Sequence, residues 1–342
     1  MACVVLADEG DFGPTALGRS PLSGTATAFT ELALALVERG HEVVVRNNCP
    51  YPVQRENLDW AGLDRGLPEK IDLFIANRDP GLLSHGARAR RRVLWIHNTA
   101  HYLIRRHLSR MARWRPAIVF SGAYHRSTYP WWAPAGGRAI IPYGVSKTFL
   151  TAPLSPNIPA QRAIFTSNPI RSLSWLVDLW ARRIHPTLPK AELHVFAGPE
   201  VYGRWGARVS DLMEPHLRAA REAARFGVVV RAPVSNRVLS EELSASRVHL
   251  YRGDRAETFC LAIAESQAMG VPGVVQPIGS VVERIADGVT GFVARDDEEF
   301  ATHAIALLTD DGLWLRMHEA ASARQRTGHW SNTAAAFEKE FL

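Results

Sequence analysis

Short, continuously apolar runs alternate along this chain with segments that have the periodicity of a helix. The first run, ACVVLA at 2–7, precedes a stripe within 25–39 whose apolar residues fall at i, i+3, i+4, i+7 and i+8. Strands that are apolar at every position are buried on both faces, and parallel strands need crossover connections that are usually helices. The pattern therefore predicts parallel sheets covered by helices. The expected strands are 2–7, 42–46, 71–76, 92–97, 117–121, 138–142, 162–167, 192–197, 227–231, 247–251 and 273–276.

A proline-rich stretch, TAPLSPNIPA at 151–160, separates two halves that each repeat this alternation. It contains three prolines and no periodicity, which is typical of a linker. A chain of 342 residues is also longer than single cores usually become. We therefore predict an α/β protein with two doubly wound domains, 1–150 and 161–328, facing each other across a cleft.

Composition is that of a globular protein, with 46% apolar and 22% charged residues. No apolar run reaches the ~18 residues that a membrane span needs. The start, MACVVLADEG, reads as a first strand and lacks the basic leader of a signal peptide. Three scattered cysteines, Cys3, Cys49 and Cys260, do not fit a disulfide framework or a Cys-based zinc site. These features predict a cytoplasmic protein.

The net charge is +6, and arginine greatly outnumbers lysine. This excess indicates an anionic partner, or it reflects the arginine usage of a GC-rich genome. Basic residues concentrate at 88–92 and 103–115. They would face a phosphorylated acceptor or anionic lipid at the inner face of a membrane, or form the solvated side of a core helix. The arginines concerned in the second stretch are Arg105, Arg106, Arg110 and Arg113. Nucleic acid is not an expected partner, because the stacking aromatic layout is missing.

Glu257 and Glu265 lie eight positions apart in ETFCLAIAESQAMGVP, around an apolar run. On a helix this spacing places them roughly 12 Å apart, further than the carboxylates that flank one glycosidic bond. They would instead hold opposite ends of one elongated ligand. The helix is expected to begin near Phe259, where its free N–H groups would bind an anion. In the alternative interpretation Glu257 is a helix cap and Glu265 a surface residue.

The stretch from 257 to 293 resembles the C-terminal half of glycosyltransferase family four, the retaining, nucleotide-sugar-dependent enzymes of the GT-B fold. The matching residues are Glu257, Glu265, Gly270, Pro272, Gly279, Glu283, Gly288, Gly291 and Phe292. The resemblance implies two Rossmann-like domains, with Glu257 on the donor sugar and Glu265 on the ribose. It also implies that the backbone amides near Phe259, Cys260 and Leu261 meet the distal phosphate. The family usually has glycine where this chain has Cys260.

The N-terminal half is similar to the same family. SGTATAFTELALALVERGHEVVV at 23–45 resembles its first glycine loop and helix, which implies that Gly24 is approached by the donor phosphates or the acceptor. His97, in VLWIHNTAH, stands where relatives place a histidine on the donor sugar. The last helix, at 329–342, is expected to return to the first domain.

Two further stretches resemble family loops of the second domain. In IFTSNPIRSLSWLVDLW, Arg171 falls near the lysine that binds the diphosphate, and Asn168 would donate a hydrogen bond where relatives have arginine. The loop of Ala232, Pro233 and Val234 stands where relatives read the nucleotide base through the backbone.

The resemblance implies transfer of a sugar, with retained configuration, from a nucleotide diphosphate sugar to an acceptor hydroxyl. The first domain would bind the acceptor and the second the nucleotide sugar, with UDP or GDP as the nucleotide. A bacterial envelope polysaccharide, a glycolipid or a small natural product fits as the acceptor. No Asp-x-Asp motif occurs, so no metal or other cofactor is expected. The alternatives are a catalytically inactive nucleotide-sugar-binding subunit and a nucleotide-sugar epimerase of the same fold.

Overall fold

The computed structural model describes residues 1–342, apart from the side chains of residues 204 and 205. The chain divides into two compact units. The first contains residues 1–17, 22–144 and 329–342, and the second contains 18–21 and 145–328. The division after Gly144 places the predicted linker, 151–160, inside the second unit.

Strands and helices alternate along both units. The strands are β1 (Cys3–Ala7), β2 (Glu42–Arg46), β3 (Val53–Arg55), β4 (Leu58–Ala61), β5 (Leu73–Asn77), β6 (Arg91–Trp95), β7 (Ala117–Phe120), β8 (Gly137–Ile140), β9 (Arg162–Phe165), β10 (Glu192–Phe196), β11 (Val228–Arg231), β12 (Val248–Leu250), β13 (Gly273–Val275) and β14 (Gly291–Val293). The helices are α1 (Gly24–Glu38), α2 (His101–Arg106), α3 (Leu108–Trp114), α4 (Ala123–Ser127), α5 (Lys147–Thr151), α6 (Leu173–Leu179), α7 (Gly206–Glu222), α8 (Asn236–Ser244), α9 (Leu261–Ala268), α10 (Asp297–Thr309), α11 (Asp311–Gln325) and α12 (Trp330–Phe341).

The sheet of the first unit runs in the order β3-β4-β2-β1-β5-β6-β7-β8. Its pairs are parallel except for β3 with β4. The chain moves outward from β1 through β2 on one side and then returns to β5 on the other. Strand order therefore reverses between β1 and β5, which is where open α/β sheets bind ligands.

The sheet of the second unit runs in the order β11-β10-β9-β12-β13-β14, with parallel pairs. Here the chain moves outward from β9 to β11 and then crosses to β12. The reversal lies between β9 and β12, so this unit also has the doubly wound arrangement. These sheets confirm the predicted fold class for each unit.

The predicted strands all form, because continuous apolar runs suit strands that are covered on both faces; every residue of β5 is buried, for example. Three short strands, β3, β4 and β14, were not predicted from the sequence. β3 and β4 form a hairpin of mixed polarity around Asn57, whose φ of 59° makes the turn. β14 is only three residues long, and a three-residue apolar run has no periodicity to detect.

Helix α1 forms where its stripe predicted, with a shift of one residue at each end. The Ser23 hydroxyl accepts a hydrogen bond from the Ala26 N–H and caps the helix. Phe29, Leu32 and Leu36 are fully buried on one side of it. Within the part of the chain that the structure describes, none of the helices combines the length and apolar character needed to span a bilayer.

The final helix, α12, packs within the first unit. Phe337 is fully buried, and its ring meets the ring of Trp95 edge-on at 5.5 Å. Glu338 accepts hydrogen bonds from Arg39 (2.6 Å) and is 2.8 Å from the ring of His41, at the end of α1. An apolar anchor and a carboxylate therefore join the last residues of the chain to the first helix.

We expect Phe337→Ala to reduce the free energy of unfolding by about 3–5 kcal/mol, since it empties a fully buried aromatic site. The measurement is urea unfolding followed by tryptophan fluorescence. Glu340→Ala, at an exposed position on the same helix, serves as the control and should change stability little. Equal effects of the two substitutions would contradict the packing of α12.

Candidate functional site

Polar side chains of the second unit meet where strand order reverses. Arg171 lies in the loop after β9, and Glu257 lies in the loop after β12. The carboxyl ends of parallel strands share one edge of the sheet, so these loops are neighbours there. Arg171 Nη1 donates a hydrogen bond to Glu257 Oε2 at 2.6 Å. Two residues that the sequence singled out separately are thus in direct contact.

The Glu257 carboxylate is buried and is held by groups on several sides. Besides Arg171, its Oε2 accepts a hydrogen bond from the Tyr251 hydroxyl at 3.3 Å. Its Oε1 accepts one from the Cys260 N–H at 3.1 Å. Glu257 therefore bonds the backbone N–H of Cys260, the residue that precedes α9, and it also forms an ion pair. These bonds fix the carboxylate beside the start of the helix.

Helix α9 begins at Leu261, two residues later than expected, because Cys260 adopts a left-handed conformation with φ of 68°. This is the position where the family pattern noted in the sequence has glycine, a residue that adopts this conformation without steric cost. A side chain there costs roughly 1–2 kcal/mol. The Cys260 thiol is buried, and burial raises its pKa well above the ordinary value. The residue contributes apolar packing rather than a reactive thiolate.

The start of α9 differs in one amide from the anion site that the sequence predicted, because the Cys260 N–H already donates to Glu257 Oε1. Binding of a phosphate there stays a prediction. The first intrahelical bond runs from the Ala264 N–H to the Cys260 carbonyl. The amides of Leu261 and Ala262 precede that bond, and such N–H groups, with the helix dipole, attract negative charge. The residues around the helix start, Phe259 and Cys260, are buried.

The loop that carries Arg171 is shaped by its own polar groups. Asn168 Oδ1 accepts a hydrogen bond from the Ile170 N–H at 2.9 Å, and Asn168 Nδ2 donates one to the Tyr202 hydroxyl at 2.8 Å. The Ser172 hydroxyl donates to the Gly253 carbonyl at 2.8 Å, which ties this loop to the one after β12. Asn168 therefore positions the Arg171 turn, and its contact with a diphosphate stays a prediction.

Arg171 remains a cation in this setting. Burial alone would lower its pKa, but the neighbouring Glu257 carboxylate, with smaller contributions from Tyr251 and Asp254, outweighs burial and raises it. One guanidinium nitrogen bonds Glu257, and a guanidinium has five N–H donors in all. The group can therefore hold Glu257 and still donate to an oxyanion.

A second cation near α9 was not anticipated from the sequence. The Arg284 guanidinium lies 4.2 Å from the centre of the Phe259 ring, and its Nη2 is 3.6 Å from Glu283 Oε2. Burial lowers the pKa of Arg284. No sequence signal identified this residue, because its contact depends on how the loop after β13 folds against the one after β12.

Those two loops approach each other so closely that glycine is required. Gly279 has φ of 73°, and a Cβ there would lie 2.1 Å from the carbonyl oxygen of Asp254. Gly253 has φ of 99°, and its Cβ would lie 2.5 Å from the carbonyl oxygen of Ile278. The family glycine at 279 is thus explained by backbone contact.

The other predicted nucleotide residues lie at the same edge of the sheet. Glu265 is partly exposed on the second turn of α9. The loop of Ala232, Pro233 and Val234 follows β11, two strands from β9, and Pro233 lies against the loop after β10 near Gly198. The roles of these residues with ribose and base remain predictions.

The first unit has a buried polar network at its own strand reversal, which the sequence did not reveal. Asp8, after β1, is fully buried. Its carboxylate accepts hydrogen bonds from Asn77 Nδ2 at 2.6 Å and from Arg78 Nη2 at 2.7 Å. Asn77 ends β5, so the register of β1 with β5 brings these groups together. Only His97 of this network had been singled out beforehand.

The network fixes the protonation of His97. Because Asn77 donates to Asp8, its oxygen must accept, and it lies 2.6 Å from His97 Nε2. The Nε2 therefore carries the proton, and Nδ1 accepts from the Tyr143 hydroxyl, its other partner. Burial holds the pKa of His97 well below its ordinary value, and the positive charge of Arg78 lowers it further. A contact between His97 and a donor sugar stays a prediction.

The remaining predicted residues of the first unit are exposed. Gly24 is the first residue of α1. Arg105, Arg106, Arg110 and Arg113 are exposed on α2 and α3, while Leu103 and Met111 face the core. Helices α2 and α3 are separated at His107, and the Leu108 side chain is 38% exposed. The arrangement is that of short core helices with a solvated basic side.

Among the described side chains, no group of three or more His, Cys, Asp or Glu residues is placed to hold a metal ion.

Comparison with known proteins agrees with this architecture. Residues 162–310 match the family described as Glycosyl transferases group 1. A D-inositol 3-phosphate glycosyltransferase of Xylanimonas cellulosilytica is 29% identical over 209 residues, 58% of this chain and 49% of that protein. The protein of the same name from Streptomyces griseus is 34% identical over 198 residues, 53% of this chain and 42% of that one. The matches thus span about half the length of these curated relatives, or less.

Solved structures show the same fold over the whole chain. Sucrose-phosphate synthase from Thermosynechococcus elongatus superposes with a TM-score of 0.74 at 15% identity, covering 100% of this chain and 98% of that one. Anabaena HepE, solved with UDP and glucose, gives 0.73 at 14% identity, covering 99% of each chain. The protein therefore has the GT-B fold of glycosyltransferases. Its second unit contains a glycosyl transferases group 1 domain at 162–310.

Stability should fall as the solution is acidified below neutral pH. Burial lowers the pKa of His97, of His125 to about 4 and of His249 to about 3. In the unfolded chain these groups bind protons near pH 6.5, so below that pH the unfolded state takes up protons that the folded state does not. Each histidine then removes up to about 1.4 kcal/mol of unfolding free energy per pH unit. Urea unfolding at pH 7.5, 6 and 5 measures the slope.

His249→Gln should flatten that slope relative to the wild type, because it removes one of the depressed groups. If the free energy of unfolding stayed constant or increased as the pH was lowered from 7 to 5, the conclusion that the buried histidines are neutral would be contradicted.

Proposed function

We propose that this protein transfers a sugar from a nucleotide diphosphate sugar to a hydroxyl group of an acceptor. The observation that carries the proposal is the contact between Arg171 and Glu257 beside the start of α9. It lies at the strand reversal of a unit that contains a glycosyl transferases group 1 domain. The arrangement offers a cation, helix amides and a carboxylate within one small region.

The diphosphate is proposed to bind between Arg171 and the first turn of α9. The helix amides and dipole attract the phosphate oxygens, and the free guanidinium N–H groups donate to them. Arg284, which lies against Phe259, adds positive charge beside the same turn. This donor set needs no metal or cofactor to neutralise the phosphates, so we propose a metal-independent site.

The donor sugar is proposed to bind at Glu257. A carboxylate accepts hydrogen bonds from sugar hydroxyls, and this one is fixed by the Cys260 N–H and Tyr251. Since Arg171 bonds Glu257, the sugar and the phosphate would be held next to each other by one ion pair. Glu265 would bind the ribose, and the backbone at Ala232, Pro233 and Val234 would contact the base.

Retention of configuration is proposed through attack on the same face from which the phosphate leaves. The acceptor oxygen forms a bond to the anomeric carbon as the bond from that carbon to the phosphate oxygen breaks. The departing phosphate oxygen takes the acceptor proton, so charge and atoms balance. Fixed donors around the leaving phosphate, Arg171 and the α9 amides, would be the main catalytic contribution.

The acceptor is proposed to bind the first unit near Asp8 and Arg78. The Arg78 side chain is 39% exposed while it pairs with the buried Asp8, so it retains donors for an anionic or hydroxyl-bearing ligand. The curated relatives are named for inositol 3-phosphate, which makes a phosphorylated polyol the first acceptor class to test. His97 and Gly24, which belong to the same unit, would contact the donor or the acceptor.

A catalytically inactive nucleotide-sugar-binding protein is the second candidate. Cys260 favours it, because a side chain stands at a left-handed backbone position where the family pattern noted in the sequence has glycine. The two candidates differ in chemistry: an enzyme releases sugar slowly from a nucleotide sugar even without acceptor, and an inactive protein does not. Product nucleotide measured after incubation with UDP-, GDP- and ADP-glucose separates them.

We expect UDP to raise the melting temperature and Arg171→Ala to weaken UDP binding by roughly 10- to 100-fold, because a charged hydrogen bond is lost. The nucleotide of the Anabaena HepE structure makes UDP the first to try, followed by GDP. Arg171→Lys keeps the positive charge but loses the planar set of guanidinium donors. Its affinity for UDP should therefore lie between those of the wild type and Arg171→Ala. Arg183→Ala, an exposed arginine of the same unit, is the matched control. Titration calorimetry supplies the Kd values.

Unchanged UDP affinity in Arg171→Ala, with a melting temperature close to wild type, would refute the proposed diphosphate site. If Arg171→Ala does not fold, the UDP affinity of Arg171→Lys decides the question: an affinity equal to that of the wild type would refute the proposed site.

A further inference from the structure

One segment of the first unit carries a charge unlike that of the rest of the chain. Residues 80–143 contain 11 arginines and no lysine, aspartate or glutamate. Since the whole chain has a net charge of +6, the remaining residues are net acidic. The absence of carboxylates means that this segment has no internal counter-charge, which is unusual for a folded surface.

Much of this charge gathers at the amino edge of the sheet. Arg88, Arg90 and Arg91 lie just before or at the start of β6, and Arg115 lies just before β7. All four side chains are exposed. Because the strands are parallel, their starts share one edge, and Asp8, Arg78 and His97 lie at the opposite edge.

A turn that carries two tryptophans lies beside the arginines at that edge. Trp131 and Trp132 are 87% and 55% exposed, in the connection that precedes β8. Arg115 Nη2 donates to the Ala135 carbonyl at 3.3 Å, so the turn is a direct neighbour of the basic residues. We call Arg88, Arg90, Arg91, Arg115, Trp131 and Trp132 the amino-edge surface.

The two tryptophans are displayed by a braced turn rather than a loose loop. Tyr129 is buried, and its hydroxyl donates to the Pro134 carbonyl at 2.7 Å. Arg138 Nη2 donates to the carbonyls of Trp131 at 3.0 Å and Ala133 at 2.6 Å. Adjacent large apolar side chains held in water in this way mark an interaction site.

We propose that the amino-edge surface docks the protein on an anionic lipid bilayer. Tryptophan favours the headgroup level of a bilayer, and each basic residue near an anionic membrane strengthens binding about fivefold. Single-stranded nucleic acid is bound by aromatic residues spaced along a groove, whereas this aromatic pair sits on one turn. Docking at the amino edge leaves the opposite edge of the sheet, with Asp8 and Arg78, open to other ligands.

The test is co-sedimentation of the full chain with vesicles of phosphatidylcholine alone and of phosphatidylcholine with about one third phosphatidylglycerol. The wild type should bind the anionic vesicles, and it should bind the neutral ones weakly or not at all. Its binding to the anionic vesicles should decrease in high salt. Trp131→Ala/Trp132→Ala should bind at least about tenfold more weakly. Arg88→Gln/Arg90→Gln/Arg91→Gln should bind roughly a hundredfold more weakly, from three charges.

Matched controls come from the second unit. Leu212→Ala removes an apolar side chain that is 62% exposed, and Arg183→Gln/Arg218→Gln/Arg225→Gln removes three exposed charges. Both should bind vesicles like wild type. Melting temperatures near wild type show that all variants are folded.

Equal vesicle binding by the amino-edge variants and the controls would overturn the proposal. So would binding to single-stranded DNA in place of vesicles, or a concentration-dependent dimer that Trp131→Ala/Trp132→Ala abolishes without any vesicle binding. None of these outcomes depends on whether the protein transfers a sugar.

Discussion

A parallel sheet sends the carboxyl ends of its strands to one edge, and each reversal of strand order leaves a gap in the helical cover there. Both units of this protein fill that gap with a buried carboxylate and an arginine: Asp8 with Arg78, and Glu257 with Arg171. Burying an ion pair removes hydration from both charges, so such pairs are weak evidence for stability. Their position at both reversals is more readily explained by ligand binding than by folding.

The two pairs are supported in different ways. Glu257 is held by the Cys260 amide and the Tyr251 hydroxyl, and it accepts a hydrogen bond from one guanidinium nitrogen of Arg171. Asp8 ends a chain of hydrogen bonds that begins at Tyr143 and passes through His97 and Asn77. Since every donor in that chain points toward the carboxylate, the histidine ring has one tautomer. The second unit thus places a cation beside the start of a helix, and the first contains a buried polar network.

Much of the fold could be predicted because burial on both faces leaves apolar runs that no solvent-facing strand would have. The ion pair of Arg171 and Glu257 was anticipated only as two separate ligand contacts, since sequence spacing carries no information on which loops meet across a sheet. Asp8, Asn77 and Arg78 were missed for that reason: their contact depends on the register of β1 with β5. The late start of α9 was missed because nothing in the sequence shows that Cys260 has a positive φ.

The acid-free segment at 80–143 also determines how its surface responds to conditions. Guanidinium groups stay protonated at every pH at which a protein is folded, and there are no carboxylates in the segment to titrate against them. The positive charge of these arginines therefore persists in acidic and alkaline solution alike. Dissolved ions weaken the potential that it creates, over a screening distance of about 8 Å at physiological ionic strength. Attachment through this edge would be released by salt.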